Sequence, residues 1–162
     1  SSEAFGPHIA GLRIVPVSIA YELDPCDGLK AHELHMRRET GGYEKAEQED
    51  VASIGRGIAG SKGCVHVHFG TPLGAEFENA DAVAAALDHQ ILQGYRLHPT
   101  NALAYRMLHG ERDLSMLEVA EGSCSERAFR SRIEALPEAE RGDALAAYAN
   151  AVVAKLNLLE QQ

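Results

Sequence analysis

The sequence contains no tryptophan and only three cysteines, and basic residues are fewer than acidic ones. Cys26, Cys64 and Cys124 are widely spaced and form no Cys-x-x-Cys pair, which excludes a disulfide framework and a zinc knuckle. Free thiols are typical of a reducing compartment. Lys and Arg total 15 and Asp and Glu total 24, so the formal charge is −9. This charge disfavours binding to nucleic acid or anionic lipid by bulk electrostatics.

Long apolar runs are also absent. A helix that spans a membrane needs about 20 apolar residues, whereas the longest run here, residues 14–20, contains Pro16 and Ser18. Residues 1–30 show no basic start followed by an apolar stretch, so no secretory signal is visible. We therefore expect a cytoplasmic protein, in which any membrane contact is peripheral and at the inner face of the plasma membrane.

The pattern of the 162 residues predicts an α-rich α/β fold with about two strands in its front half. Residues 12–21 (LRIVPVSIAY) are nearly continuously apolar, which is typical of a buried strand in a parallel sheet. Pro16 predicts an edge or a bend there, because proline cannot donate to a ladder. Residues 64–69 (CVHVHF) alternate and predict a second strand. Two strands alone are unstable, so we expect partner strands from residues before Ser1 or from another chain.

Helices are expected over the remaining sequence, at about 29–39, 46–59, 81–93, 100–110, 123–136 and from Pro137 onward. Asp27 and Asp81 are the expected caps of the first and third helices. Ser115 and Ser123 each begin a capping-box pattern. The last helix carries a long apolar stripe, formed by Leu145, Tyr148, Val152, Leu156 and Leu159.

Two pairs of histidines are the candidate metal ligands. His66 and His68 project from one face of the second strand, and His32 and His35 share one face of a helix. Four imidazoles could surround Zn²⁺ if the helix packed near the strand. Neither spacing is a specific metal signature. The alternative is two separate pairs, one buried and hydrogen-bonded and the other solvated.

Three other clusters have an ordinary structural interpretation beside a chemical one. His109 and Asp113 could form an acid–base pair, but they straddle an expected helix end. The arginine cluster could hold a phosphate, but interleaved glutamates favour a solvated face with ion pairs; its members are Arg127, Arg130, Arg132 and Arg141. Cys124 or Ser125 could be a nucleophile, but this segment also serves as a helix stop and cap. The residues alone thus form no complete catalytic set.

One segment points to a family. Residues 13–19 (RIVPVSI) resemble the fourth conserved block of the glycerolipid acyltransferases, which is an apolar strand with a proline in its middle. Residues 21–34, 62–73, 95–101 and 148–150 are similar to a bacterial subgroup of that family. The resemblance spans nearly the whole chain. It implies that residues 1–75 are the carboxyl-terminal part of an acyltransferase-like α/β domain and that residues 76–162 are a helical extension.

The resemblance also implies a role in phospholipid synthesis, with no cofactor and with acyl-CoA or acyl-carrier protein as acyl donor. Val15, Pro16 and Val17 would line the floor of the substrate pocket and shape it sterically. The family's catalytic histidine, followed five positions later by aspartate, is absent: none of the eight histidines has an aspartate at that position. Glu121-Gly122-Ser123 mimics the family's phosphate-binding block but falls after the proline strand.

We therefore expect the chain alone to be inactive and to need an N-terminal catalytic segment of the same protein as its partner. Acyl-carrier protein, a membrane surface and a second copy of the chain are further expected partners, and nucleic acid is not. Two alternatives remain. One is a helical module that docks a partner or membrane without catalysis, and the other is a histidine-rich metal-binding protein.

Overall fold

The computed structural model describes residues 4–160, and within that range the chain forms seven helices and two strands. The expected α-rich architecture with two strands is confirmed at this level. In chain order the elements are α1 (Phe5–Leu12), β1 (Val17–Tyr21), α2 (Asp27–Thr40), α3 (Glu49–Ala59), β2 (Val65–Phe69), α4 (Ala80–Gly94), α5 (Pro99–His109), α6 (Glu126–Glu134) and α7 (Glu138–Glu160).

The main core lies within the helices. The longest helix, α7, packs against α5 and α2, and α6 covers the end of this group. The apolar stripe predicted on the last helix faces inward at four of its five positions, while Leu159 stays 42% exposed. The fully or nearly buried members of this core include Leu97, Ala104, Phe129, Ile133, Ala144 and Val152. The stripe is therefore covered by helices of the same chain.

The two strands form an antiparallel pair in which Val17 lies opposite Phe69 and Tyr21 opposite Val65. The expectation of a buried strand of the parallel type over residues 12–21 is wrong, because β1 is shorter and its residues alternate between exposed and buried. Pro16 explains where β1 begins. Its carbonyl accepts from the Gly70 N–H at 2.8 Å, but proline has no N–H to return, so the regular ladder starts one residue later.

One face of the strand pair rests on the helical body. Ser18 and Ala20 are buried on this face, and α4 packs against β1. A second, smaller core near α4 contains Ile9, Leu73 and Val83. Packing crosses the predicted division at residues 75 and 76, since α2 lies against α7. The strand pair is thus carried by the helices.

Several helices begin at residues other than the predicted caps. Asn79, and not Asp81, caps α4 by accepting from the Ala82 N–H at 2.9 Å. Ser125, and not Ser123, caps α6 through the Ala128 N–H. No helix follows Ser115. In both cases another cap-forming residue lies two positions away, so residue type alone does not decide which of the two acts as the cap.

Helix α3 differs from the others because it has no buried residue. Val51, Ile54 and Ile58 form an apolar stripe on it and are each at least 61% exposed. Among residues 4–160, no helix combines the length and the apolar character needed to cross a bilayer.

Phe129 should be a main determinant of stability. Its side chain is fully buried, and its ring meets the Tyr148 ring edge-on at 5.0 Å between centroids. Phe129→Ala is expected to lower the free energy of unfolding by about 3–5 kcal/mol, because it removes a buried aromatic ring and leaves a cavity. Urea unfolding followed by circular dichroism measures this loss. Phe69→Ala is the matched control, since Phe69 is 69% exposed, and equal losses for the two variants would contradict the packing described.

Candidate functional site

The outer face of the strand pair is apolar and open. The side chains at alternate positions of both strands point away from the helical body, and each is between 39% and 69% exposed. They are Val17, Ile19, Tyr21, Val65, Val67 and Phe69, which together we call the open face. Apolar side chains clustered on one sheet face normally lie against another layer. The open face is therefore a candidate contact surface.

Neither edge of the strand pair is hydrogen-bonded to a further strand within residues 4–160. Hydrogen bonds from Glu22 to Cys64 and from Gly70 to Pro16 flank the ladder, so the pairs Ser18–His68 and Ala20–His66 are the hydrogen-bonded ones. The N–H and C=O groups of the open-face residues consequently point away from the partner strand, and within residues 4–160 they have no backbone hydrogen-bond partner. Such edges can accept further strands.

The sequence-predicted pocket residues lie at the start of β1. Val15 and Val17 are 41% and 39% exposed, whereas Pro16 is buried between them. Pro16 accepts from the Gly70 N–H and holds the chain beside β2. The two valines are thus accessible, and the proline fixes the backbone that presents them.

Glu22, directly after β1, ties the strand pair to the helical body. Its carboxylate is fully buried and accepts four hydrogen bonds. The Cys64 N–H donates at 2.8 Å, the Ser123 N–H at 3.0 Å, the Ser123 hydroxyl at 2.7 Å and the Cys124 N–H at 2.7 Å. These donors come from the residue before β2 and from the loop before α6. One carboxylate therefore joins three segments that are distant in sequence.

The Glu22 carboxylate is stabilised in its charged form. Burial by itself raises the pKa of this group, but the hydrogen bonds from Cys64, Cys124 and Ser123 outweigh burial and bring the pKa from 4.5 to about 2. The carboxylate is consequently ionised over the whole physiological range.

A second carboxylate anchors the start of α2. Asp27 accepts from Arg132 Nε at 2.6 Å, from Arg132 Nη2 at 3.0 Å and from the Tyr148 hydroxyl at 2.8 Å. The Tyr148 oxygen in turn accepts from the Asp24 N–H at 2.9 Å. The hydrogen bond to Asp27 raises the pKa of Arg132. Burial and the Asp27 charge raise the pKa of Tyr148. Arg132 is thus part of the packed structure, in contrast to the phosphate-binding interpretation.

A cleft of about 380 Å³ lies beside the inner face of the strand pair. Its lining combines polar groups from β2 and from residues 93–96 with apolar side chains from the loop after α5 and from the end of α7. The lining residues include His66, His68, Arg96, Lys155, Met116 and Leu158. Burial, followed by the Arg96 charge, lowers the pKa of His66, which favours the neutral form of this imidazole.

The two histidine pairs do not meet. His32 Nδ1 lies 2.8 Å from Glu140 Oε1, and His35 Nδ1 lies 3.1 Å from Arg38 Nη2, whereas His66 and His68 line the cleft. Throughout residues 4–160, no group of three or more His, Cys, Asp or Glu side chains is arranged to hold a metal ion.

The remaining candidates also have structural partners. The His109 ring packs on the Tyr105 ring at 4.7 Å, while Asp113 accepts from the Ser115 N–H. Burial and the Glu22 charge raise the pKa of the Cys124 thiol, which disfavours the nucleophilic thiolate. Neither group has the surroundings of an acid–base pair or an activated nucleophile.

Sequence reasoning missed the role of Glu22, and it assigned Ser123 to a helix cap and not to the Glu22 carboxylate. A signal for Glu22 was present. Ser18 and Ala20 on β1 and Glu22 directly after it occupy alternate positions, and all three are buried. A carboxylate on an inward face needs several donors. What the pattern does not contain is the identity of those donors, because they lie 42 and 101 residues away.

Neutralising Glu22 should destabilise the protein strongly. Glu22→Gln keeps the shape of the side chain but removes its charge. The new amide N–H groups would also face the N–H and O–H groups that donate to the carboxylate in the wild type. We expect the free energy of unfolding to fall by about 3 kcal/mol or more at pH 7, measured by urea denaturation. Glu121→Gln is the matched control, since Glu121 is exposed on the same loop. A loss below 1 kcal/mol for Glu22→Gln would refute the role of this carboxylate.

Stability should also depend on pH through the same group. Because the Glu22 pKa is about 2 in the folded state and 4.5 without the fold, its contribution is complete above pH 4.5. The contribution is lost as the pH falls from about 4.5 to about 2. The difference in unfolding free energy between the wild type and Glu22→Gln should therefore shrink over this interval. A difference that stays constant from pH 6 to pH 3 would contradict the shifted pKa.

A scan of protein-family models, a search of curated proteins and a search of solved structures each find no match to this chain.

Proposed function

We propose that this chain is the carboxyl-terminal portion of a glycerolipid acyltransferase and that the open face receives the part of the enzyme that carries the catalytic base. The observation that carries the proposal is the two-stranded sheet with six exposed apolar side chains on one face. The resemblance of residues 13–19 to the proline-bearing strand of that family supplies the type of enzyme.

The strand pair has the properties of an incomplete sheet. Two strands usually lack independent stability, and here the pair depends on α4 and on the Glu22 hydrogen bonds for its position. Its outward peptide groups are in register to bind further strands at both edges. Added strands would extend the sheet, and a layer of helices would cover the open face.

In this proposal the role of Val15 and Val17 is steric. Both side chains are accessible, and Pro16 fixes the backbone between them. They would form an apolar floor against the acyl chain or the glycerol part of the acceptor. Apolar walls of this kind exclude water from a reacting thioester, which would otherwise be hydrolysed.

The reaction follows from the chemistry of the acyltransferase class. A histidine outside this chain would take the proton of a glycerol hydroxyl, whose oxygen attacks the carbonyl carbon of the thioester. The new C–O ester bond forms as the C–S bond breaks, and the thiol leaves with a proton. The histidines within residues 4–160 are not proposed as this base. His98, for example, is buried, and its Nε2 lies 3.3 Å from the Ala20 carbonyl oxygen.

Acyl transfer by the complete product of the gene that encodes this chain tests the proposal. The assay measures release of thiol from a long-chain acyl-CoA that depends on added lysophosphatidate or glycerol 3-phosphate. The complete product should transfer acyl groups, and residues 1–162 alone should not. Absence of transfer by the complete product, or transfer by the chain alone, would overturn the proposal.

A pair of variants then tests the open face itself. Val67→Asp, at an open-face position outside the proposed substrate pocket, places a charge where an apolar layer should pack, and it should lower the rate of the complete product by about tenfold or more. Val51→Asp is the matched control, because Val51 is an exposed valine on α3 outside the open face. Equal effects of the two variants would argue against contact at the open face.

A further inference from the structure

We propose that the cleft beside β2 binds a small amphiphilic anion, namely an alkyl chain with a carboxylate or phosphate head. This binding site is separate from the acyltransferase proposal and holds whether or not the chain belongs to that class. It is distinct from the open face, since the cleft is lined from the opposite side of the strand pair by the side chains of His66 and His68.

Two cationic side chains and two imidazoles from three different elements line the cleft. Arg96 follows α4, Lys155 lies on α7, and the two histidines lie on β2. Glu118 is the one carboxylate among the residues that line the cleft. Arg96 and Lys155 together with Glu118 therefore give the lining a net charge of about +1 from these three side chains, although the whole chain carries −9. A cleft that differs in sign from the rest of the molecule is suited to an anion.

These groups keep hydrogen-bonding capacity that the described residues do not use. Lys155 Nζ donates to the Gln93 carbonyl at 3.0 Å, and an ammonium group has three N–H bonds. Arg96 pairs with Glu118, and within the described residues the guanidinium has no other hydrogen-bond partner. His66 Nδ1 is buried and has no partner among residues 4–160. Carboxylates and phosphates supply the acceptors that such donors need.

The lining also has an apolar part. Met116, Leu117, Leu158 and Leu159 line it. Met116 is 61% exposed and Leu159 is 42% exposed. Lys155 stands one helical turn before the two leucines of α7, so the charge and the apolar wall lie on neighbouring parts of one helix face. The cleft of about 380 Å³ lies within the range of roughly 300–1,000 Å³ found for ligand pockets.

Gly94 leaves room for the His68 ring at the cleft. A Cβ atom at position 94 would overlap the His68 imidazole ring, so the absence of a side chain lets the ring lie directly on the end of α4. The φ of Gly94 lies outside the left-handed region, and conformational strain is therefore not the reason for a glycine here. The close approach places His68 among the lining residues.

Titration of the purified, ¹⁵N-labelled chain with sodium decanoate and with decyl phosphate, both as monomers, tests the site by NMR. Saturable shifts should appear at residues 93–96, 116–118 and 155–159. Decyl maltoside has the same chain with a neutral head, and it should bind at least about tenfold more weakly. Hexanoate should also bind more weakly than decanoate, by about fourfold for each methylene lost. The tighter of the two anions identifies the head group.

Three variants locate the binding. Lys155→Met keeps the aliphatic stem and should weaken decanoate binding by about tenfold. Its matched control, Lys45→Met, lies in an exposed ion pair with Asp50 and should change nothing. Glu118→Gln removes the carboxylate that competes for Arg96, so it should tighten binding by about two- to fivefold. A partly unfolded variant cannot produce such a gain.

The outcomes separate clearly. Saturable binding that favours the anionic head, falls in Lys155→Met and rises in Glu118→Gln supports the site. Absence of saturable binding, equal affinity for decyl maltoside, or equal effects of Lys155→Met and Lys45→Met would overturn it. None of these results depends on acyl transfer, so failure here is distinct from failure of the proposed enzymatic function.

Discussion

The buried carboxylate of Glu22 is the interaction on which the arrangement of the strands depends. A two-stranded sheet with one open face has little stability of its own. Here Glu22, the residue directly after β1, accepts hydrogen bonds from Cys64, Ser123 and Cys124. Because the carboxylate is fully buried, losing any one donor would leave part of a charge unsatisfied. Glu22, together with the packing of α4 against β1, therefore fixes the position of the strand pair relative to the helices.

A second polar contact gives the helical body its connection to the same region. Asp27 joins α2 to α6 through Arg132 and to α7 through Tyr148. Asp24 and Asp27 lie two and five residues after Glu22, so both polar contacts come from one turn of the chain. This turn links the strands to the apolar core around Phe129, whose ring contacts Tyr148 directly. The two sides of the strand pair consequently differ, with one bound to a rigid body and the other open.

The two proposals use these two sides separately. The open face is apolar and has open edges, which suits further strands and helices of a larger protein. The cleft on the inner side is small and has a local charge opposite to that of the chain, which suits a small anionic molecule. An enzyme that acts on amphiphiles could use both, but each has its own physical basis and its own measurement.

The sequence by itself determined the α-rich character and most of the elements. Period-two and period-3.6 patterns located both strands and six of the seven helices, since these patterns depend only on which residues are apolar. It also determined that Pro16 would interrupt a ladder. The antiparallel pairing, the choice of Ser125 over Ser123 as the cap of α6, and the convergence of Arg96 and Lys155 were decided only by the tertiary structure. The physical reason is the same in each case, because a hydrogen-bond partner or a shared cleft depends on contacts between residues far apart in the chain, which local patterns do not encode.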